Sequence, residues 1–143
     1  MGLYDRFKTS SEMETAGVVV DYGDFRVTMA RAGGRNAVYQ TELERRLRPH
    51  RKAIAAGIFP NEALRGVLRQ VLAKCCVKNW ETKTADGWSV GIEGPDGALL
   101  PFSEENILRT FEALPDLFEA IQADADSAAF YREALREAAS GNL

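Results

Sequence analysis

The sequence predicts a mainly helical fold, a compact bundle of about five helices with a small N-terminal β-hairpin. Two patterns support this prediction. Apolar residues recur at helical spacing over most of residues 36–139, whereas only residues 17–30 show the period of two that is typical of a half-buried strand. The most complete helix face comprises Leu64, Val67, Leu68, Val71, Leu72 and Cys75. With 143 residues, 45% of them hydrophobic and 27% charged, the chain is expected to form one globular domain.

The first part of the chain is predicted to contain an arm and a hairpin. Residues 1–15 are polar and unpatterned, which is typical of a flexible N-terminal arm. The single mainly helical domain would then span residues 16–143 and begin with the hairpin, residues 16–31. An isolated hairpin is only marginally stable. Its apolar face of Phe25, Val27 and Met29 is therefore expected to pack against another part of the chain.

Core helices are predicted over residues 36–114. Asn36 is a candidate N-cap for the first of them. Asn61 is a candidate cap for the longest, which is predicted to continue to Trp80. There the indole would close the core, and binding of a ligand by Trp80 is the alternative. The turn-rich residues 88–100 are compatible with a second short pair of strands.

The C-terminal helices, residues 115–143, follow from local start signals. Ser103 is a predicted cap for the helix before them, and Phe102 and Ile107 are spaced as a hydrophobic staple. Pro115 favours a new first turn, so residues 116–123 are expected to form a separate helix. A last helix is predicted over residues 127–139, ending near Gly141.

The net charge of −3 conceals a strong asymmetry along the chain. Residues 35–80 contain ten Lys and Arg against three Asp and Glu, while residues 81–143 contain four against thirteen. Such halves can meet each other within one molecule or between copies. The basic half could instead bind nucleic acid, but no aromatic or Gly-rich recognition module accompanies it. Nucleic acid is therefore not the expected partner.

No pattern typical of catalysis or cofactor binding is present. The sequence has no Walker loop, no GxGxxG and no nucleophile elbow, and Asp124 and Asp126 lack the rest of an EF-hand loop. Cys75 and Cys76 are adjacent, and one histidine, His50, is too few to complete a zinc site with them. We therefore expect neither an enzyme nor a metal or cofactor. Without an apolar run of about 18 residues or a secretory signal, we expect a cytoplasmic protein that does not enter membranes.

Several short motifs follow one another in a fixed order from residue 36 onward. They are Asn36 with Tyr39, Leu47-Arg48-Pro49, Trp80, Pro95-Asp96-Gly97, Leu100-Pro101-Phe102-Ser103, Glu105-Asn106, Leu114-Pro115-Asp116-Leu117-Phe118 and a closing Tyr131–Leu135 segment. Their order and spacing resemble the tail assembly chaperone family of long-tailed bacteriophages. Within these motifs we expect structural roles for Trp80, Pro95, Asp96, Gly97, Pro101, Phe102, Ser103, Asn106 and Pro115.

The resemblance implies a function that requires no catalysis. Members of that family bind the long tape measure protein, keep it soluble, and assist tail-tube protein to polymerise around it. The expected partners are thus the tape measure protein and the tail-tube protein, with a homo-oligomer as a further option. The protein would act in the host bacterial cytoplasm and be absent from the mature virion. The alternatives are a structural tail or head–tail connector component, and a small regulatory module that binds nucleic acid.

One departure from the family's pattern concerns the end of the chain. The short product of that family frequently ends in a Lys-Asn pair at a frameshift site, whereas Ser140-Gly141-Asn142-Leu143 stands here. The resemblance therefore leaves open whether a longer, frameshifted product exists.

The segment after Pro115 is the predicted partner-binding surface. It carries large apolar residues on short helices joined by an Ala/Asp-rich linker, and short helices are marginal unless they are packed. The residues of this predicted surface are Leu117, Phe118, Ile121, Phe130, Tyr131 and Leu135. The surface would receive the tape measure protein or a second copy. The alternative is packing of these residues onto the helix predicted for residues 61–80.

Overall fold

The computed structural model describes residues 2–140 as a mixed α/β fold with a four-stranded antiparallel sheet. The helices are α1 Leu3–Phe7, α2 Ser11–Ala16, α3 Ala37–Leu47, α4 Arg51–Ala55, α5 Asn61–Cys75, α6 Glu104–Ala113, α7 Pro115–Asp126 and α8 Ala128–Ala139, with a 3-10 turn at Arg48–His50 between α3 and α4. The strands are β1 Val18–Asp21, β2 Phe25–Met29, β3 Val77–Thr84, β4 Gly87–Val90, β5 Ile92–Glu93 and β6 Leu99–Leu100.

The prediction of a mainly helical bundle with one small hairpin is therefore wrong. The main sheet has the order β1-β2-β3-β4, and β5 and β6 form a separate antiparallel pair. The largest error concerns the helix predicted to reach Trp80, because α5 ends at Cys75 and the indole lies in β3. Residues 77–84 are rich in residues that favour strands, and the free edge of β2 gives their backbone a hydrogen-bonding partner.

The register of the sheet places the apolar side chains of the central strands on one face. Val27 pairs with Trp80 and Met29 pairs with Val77, and all four side chains are buried. The register shifts between Thr28 and Met29, so β3 contributes one extra residue at this point, as in a β-bulge. The shift keeps both Val77 and Trp80 on the buried face, although an odd number of positions separates them.

The core lies between this sheet face and the helices. The helices contribute side chains that are almost completely inaccessible to solvent: Val71, Leu72, Cys75, Ile107, Phe111, Phe118, Ile121 and Ala125. On the opposite sheet face Val19 and Val90 are exposed and Arg26 pairs with Glu81. The fold thus has two layers, with helices covering one face of the sheet.

Several start signals read from the sequence are confirmed. The hairpin is formed by β1 and β2, with Val18 opposite Met29. The Ser103 hydroxyl accepts a hydrogen bond from the Asn106 backbone N–H at 3.1 Å, and Pro115 occupies the first turn of α7. Helix α7 extends to Asp126 and is longer than predicted.

The two asparagine caps differ from the prediction. The Asn36 side chain accepts no hydrogen bond from α3; its amide donates instead to the Arg31 carbonyl at 2.9 Å. Pro60 occupies the cap position of α5, and Asn61 is the first helical residue. Both helices begin where the sequence indicated, but other interactions hold their first turns.

The predicted flexible arm contains two short helices, and one of them is fixed to the body of the protein. Glu14 of α2 is completely buried, where it pairs with Arg31 and accepts a hydrogen bond from the Thr9 hydroxyl at 2.9 Å. The Arg31 backbone N–H also donates to the Glu14 carbonyl at 2.8 Å. Helix α1 is different, because its Leu3, Tyr4 and Phe7 side chains are largely exposed.

The last helix is tied to the sheet. The hydroxyl of Tyr131 in α8 donates a hydrogen bond of 3.0 Å to the Met29 carbonyl of β2, and the ring is completely buried. The predicted helix end near Gly141 lies outside the described residues. None of the helices within residues 2–140 is long and apolar enough to cross a membrane.

Candidate partner-binding groove

A surface groove with a helical wall lies beside α3 and α4. It has a volume of about 580 Å³ and a floor formed by Tyr39, Leu43, Leu47 and Ile54. These side chains converge because the first three recur every four residues on α3 and α4 returns beside them after the turn at Pro49. Ile54 retains 42% exposure. Tyr39 is buried, so the apolar strip that the groove presents to solvent consists of Ile54 and the half-buried Leu43 and Leu47.

Charged side chains border this apolar strip. Arg48 and Arg51 lie on the rim together with Glu44 and Asp126. Neither arginine forms an ion pair with any residue between 2 and 140. The rim thus offers free positive and negative groups beside an apolar floor, an arrangement that suits an amphipathic segment.

Helix α3 is held in place by a charge cluster beside the groove. The Glu42 carboxylate accepts hydrogen bonds from Arg45 and Arg46 at 2.7 Å and lies 3.4 Å from the Lys74 ammonium of α5. The hydrogen bond from Arg45, followed by those from Arg46 and Lys74, holds the pKa of Glu42 well below its usual range, against the opposing effect of burial. This cluster fixes α3 on α5 and leaves Arg48 and Arg51 free.

The tyrosine of the groove and the two cysteines behind it are protonated at neutral pH. Burial raises the pKa of Tyr39 to about 12, with a smaller contribution from the neighbouring Cys76, so the phenol stays protonated at neutral pH. Burial also raises the pKa of the Cys75 and Cys76 thiols, and both are free cysteines. Within the described part of the chain, no group of three or more His, Cys, Asp or Glu is placed to hold a metal ion.

The six residues of the predicted partner-binding surface do not lie on one surface. Phe118, Ile121 and Tyr131 are buried, Phe118 against Phe111 with ring centroids 5.3 Å apart. The other three are half-buried and face different surroundings. Phe130 lines a shallow cleft with Phe7, and Leu117 lines a cleft beside β3. In this conformation only Leu117, Phe130 and Leu135 could contact a partner.

Leu117 and Trp80 meet in that second cleft, which we name the aromatic cleft. It has a volume of about 280 Å³, and its apolar lining is Phe25, Trp80, Ile92, Leu114 and Leu117. Phe25 stacks between Tyr22 and Trp80, with centroid distances of 4.9 and 5.1 Å. The Tyr22 hydroxyl donates to Asp124 at 2.7 Å, which ties this stack to α7.

The remaining motif residues form turns and caps. Asp96 accepts a hydrogen bond from the Ala98 N–H at 3.1 Å in the turn between β5 and β6, where Gly97 has a φ of 86°. The Asn106 amide donates to the Pro101 carbonyl at 2.9 Å. Pro95, which precedes Asp96, lies in the same turn, and Phe102 packs against the core beside the Ser103 cap.

Sequence reasoning did not assign the groove beside α3 and α4 to a partner. The sequence nevertheless contains a pattern that indicates this groove. Tyr39, Leu43 and Leu47 form a regular apolar stripe, and Arg48 and Arg51 flank Pro49 at the end of the helix. What the sequence did not show was that the elements of residues 2–140 cover Tyr39 but leave the rest of the stripe partly open. Leu43 packs partly on the core, whereas Ile54 remains open.

The fold and these clefts define a small α/β protein with partly open apolar surface clefts. A family model described as YdaY prophage protein matches residues 34–142, which is more than half of the chain. The chain therefore belongs to the YdaY prophage protein family and is a phage-derived protein. The match begins after β2, so α1, α2 and the hairpin lie outside it. No curated protein and no solved structure matches this chain.

Proposed function

We propose that this protein is a phage tail assembly chaperone that binds the tape measure protein, keeps it soluble, and assists polymerisation of the tail tube around it. The proposal combines the phage origin of the family with the motif order that resembles the tail assembly chaperones. It places the action of the protein in the host bacterial cytoplasm, before the virion is complete.

The observation that carries the proposal is the open groove beside α3 and α4. Three residues of the resemblance, Tyr39, Leu47 and Arg48, lie on this groove. A long helical protein with apolar stripes aggregates unless those stripes are covered. An amphipathic helix can place such a stripe on the groove floor while its polar residues meet Arg48 and Arg51, as in other helix-in-groove complexes.

The test is co-expression with the tape measure protein of the same phage. The groove variant combines Ile54→Asp with Arg48→Glu, and both side chains are exposed enough that the fold should be retained. Val90→Asp is the matched control, since Val90 is also an exposed apolar residue, with 62% exposure against 42% for Ile54, but lies on the outer sheet face. We expect wild type and control to keep the tape measure protein in the soluble fraction, and the groove variant to lose at least about tenfold in binding.

Two results would contradict the proposal. Full solubilisation by the groove variant, with its circular dichroism unchanged, would exclude the groove as the binding site. Stoichiometric amounts of the protein in purified virions, measured by mass spectrometry, would instead favour a structural tail or connector component, because an assembly chaperone leaves before the particle is finished.

A further inference from the structure

Within residues 2–140, the two oppositely charged halves of the chain form their ion pairs separately. Arg45, Arg46 and Lys74 pair with Glu42, and Arg69 pairs with Glu62, all inside residues 35–80. Between residues 2 and 140, no ion pair joins a cation of residues 35–80 to an acid after residue 80. Arg65 and Arg69 share a cleft with Glu112 and Glu119, but these described residues form no ion pair across it.

The positive half contains an exposed apolar projection, which we name the Ile58 knob. Ile58 follows α4 and has 73% of its surface exposed. The knob is preformed, because the Gly57 and Ile58 backbone N–H groups donate to the Ile54 and Ala53 carbonyls, each at 3.0 Å. Lys52, in the first turn of α4, is exposed and has no carboxylate partner among the described residues.

The aromatic cleft combines Asp24 and Phe25 of the hairpin and Trp80 with residues of the negative half, and it offers apolar and acidic groups together. Its five apolar residues are accompanied by the polar Thr82 and Thr110, and the apolar Leu114 is 53% exposed. Asp24 and Glu93 lie on its rim with Lys83 as the one basic residue, and Asp116 is exposed between Leu114 and Leu117. A cleft with this lining accepts a branched aliphatic side chain that is accompanied by positive charge.

We propose that the aromatic cleft receives the Ile58 knob of a second copy of this chain. In that contact Ile58 covers Leu114 and Leu117, and Lys52 approaches Glu93 and Asp116. The charge complementarity argues for a second copy because each molecule displays both sides of the contact, and none of Lys52, Glu93 and Asp116 forms an ion pair within residues 2–140. This interaction does not depend on the proposed function, and it leaves most of the groove beside α3 and α4 to another partner.

The contact is heterologous, since the knob and the cleft are different surfaces of the same molecule. Heterologous contacts join molecules head to tail and form rings or open chains rather than closed dimers. The knob is small compared with the roughly 1,600 Å² that a stable interface buries, so the association should be weak, in the micromolar to millimolar range.

The experiment is sedimentation velocity on the full chain, from micromolar to near-millimolar concentration, in low salt and in about 0.5 M NaCl. The wild type should form concentration-dependent oligomers that dissociate in high salt. A knob variant, Ile58→Asn with Lys52→Gln, and a cleft variant, Glu93→Lys with Asp116→Lys, should each remain monomeric. An equimolar mixture should form dimers and nothing larger, because one intact knob then meets one intact cleft. Val90→Asp, on the outer sheet face, should behave as wild type.

Three results would overturn the proposal. They are a monomeric wild type at the highest concentration, unchanged association of either variant alone, and a mixture that stays monomeric. If the wild type is monomeric and the knob variant fails to solubilise the tape measure protein, the knob contacts that protein and no second copy. The sedimentation result needs no tape measure protein, so it separates failure of this proposal from failure of the proposed function.

Discussion

Replacement of Tyr131 by phenylalanine tests whether α8 is an integral part of the core. The Tyr131 ring is completely buried between α8 and the sheet, and its hydroxyl donates to the Met29 carbonyl at 3.0 Å. Burial raises the pKa of the Tyr131 hydroxyl, so it remains a hydrogen-bond donor throughout the neutral range. Phenylalanine keeps the ring and removes only that donor.

The expected decrease in the free energy of unfolding follows from the loss of this hydrogen bond. A buried hydrogen bond contributes about 0.5–1.5 kcal/mol, and leaving the Met29 carbonyl with one partner fewer adds to the cost, so we expect about 1–2 kcal/mol. For a domain of this size that corresponds to a fall in Tm of about 3–6 °C. Tyr131→Ala also leaves a cavity and should cost about 3–5 kcal/mol. Phe130→Ala, at the half-buried neighbour, should cost less than Tyr131→Ala.

The assay is thermal unfolding followed by circular dichroism, with urea unfolding to obtain the free energy. If Tyr131 were a surface residue reserved for a partner, the phenylalanine variant would unfold at the wild-type temperature. A Tm within about 1 °C of wild type would therefore refute the reasoning. It would also restore Tyr131 as a docking residue, as the sequence alone had indicated.

Three further predictions concern the rest of the fold. Glu42 has a pKa below the 4.5 of the unfolded chain, so the stability it contributes is present above about pH 4.5 and is lost as the pH falls further. The variant Glu42→Gln should therefore weaken the pH dependence of the unfolding free energy in acid. Urea titrations across that pH range measure this dependence. Cys75 and Cys76 are buried and have raised pKa values. Their reaction with a thiol reagent, followed by absorbance, should be at least about tenfold slower in the native protein than in urea. Equal rates would show that this end of α5 is open. Ser103→Ala removes the cap of α6 and should cost about 1 kcal/mol, or about 3 °C in Tm. A Ser103→Asp variant should retain most of that stability, and equal destabilisation by both would contradict the capping role.

The sequence determined the elements whose signals are local. The turn at Asp21–Asp24 defined the hairpin, the Ser103 hydroxyl defined the start of α6, and Pro115 defined the start of α7. The apolar face of α5 was also correct as far as Cys75. Each of these features depends on residues within one or two turns of one another, so its physical cause is visible in the chain itself.

Only the tertiary structure determined that residues 77–84 form a strand and do not continue α5. No glycine or proline marks the end of α5, and Lys78 and Glu81 suit a helix as well as a strand. The deciding interaction is the pairing of Val77 and Trp80 with β2, which is remote in the sequence. Backbone hydrogen bonds to that distant strand outweigh a helical preference of a few tenths of a kcal/mol per residue.

The same distinction applies to the surfaces. The sequence identified Phe118, Ile121 and Tyr131 as large apolar residues, but whether such residues lie in a core or on a surface depends on which elements pack over them. The charge asymmetry was readable from the sequence, whereas the absence of ion pairs between the two halves within residues 2–140 required their positions in space. Local signals specify an element, and long-range packing decides what that element faces, because burial depends on neighbours that the chain supplies from elsewhere.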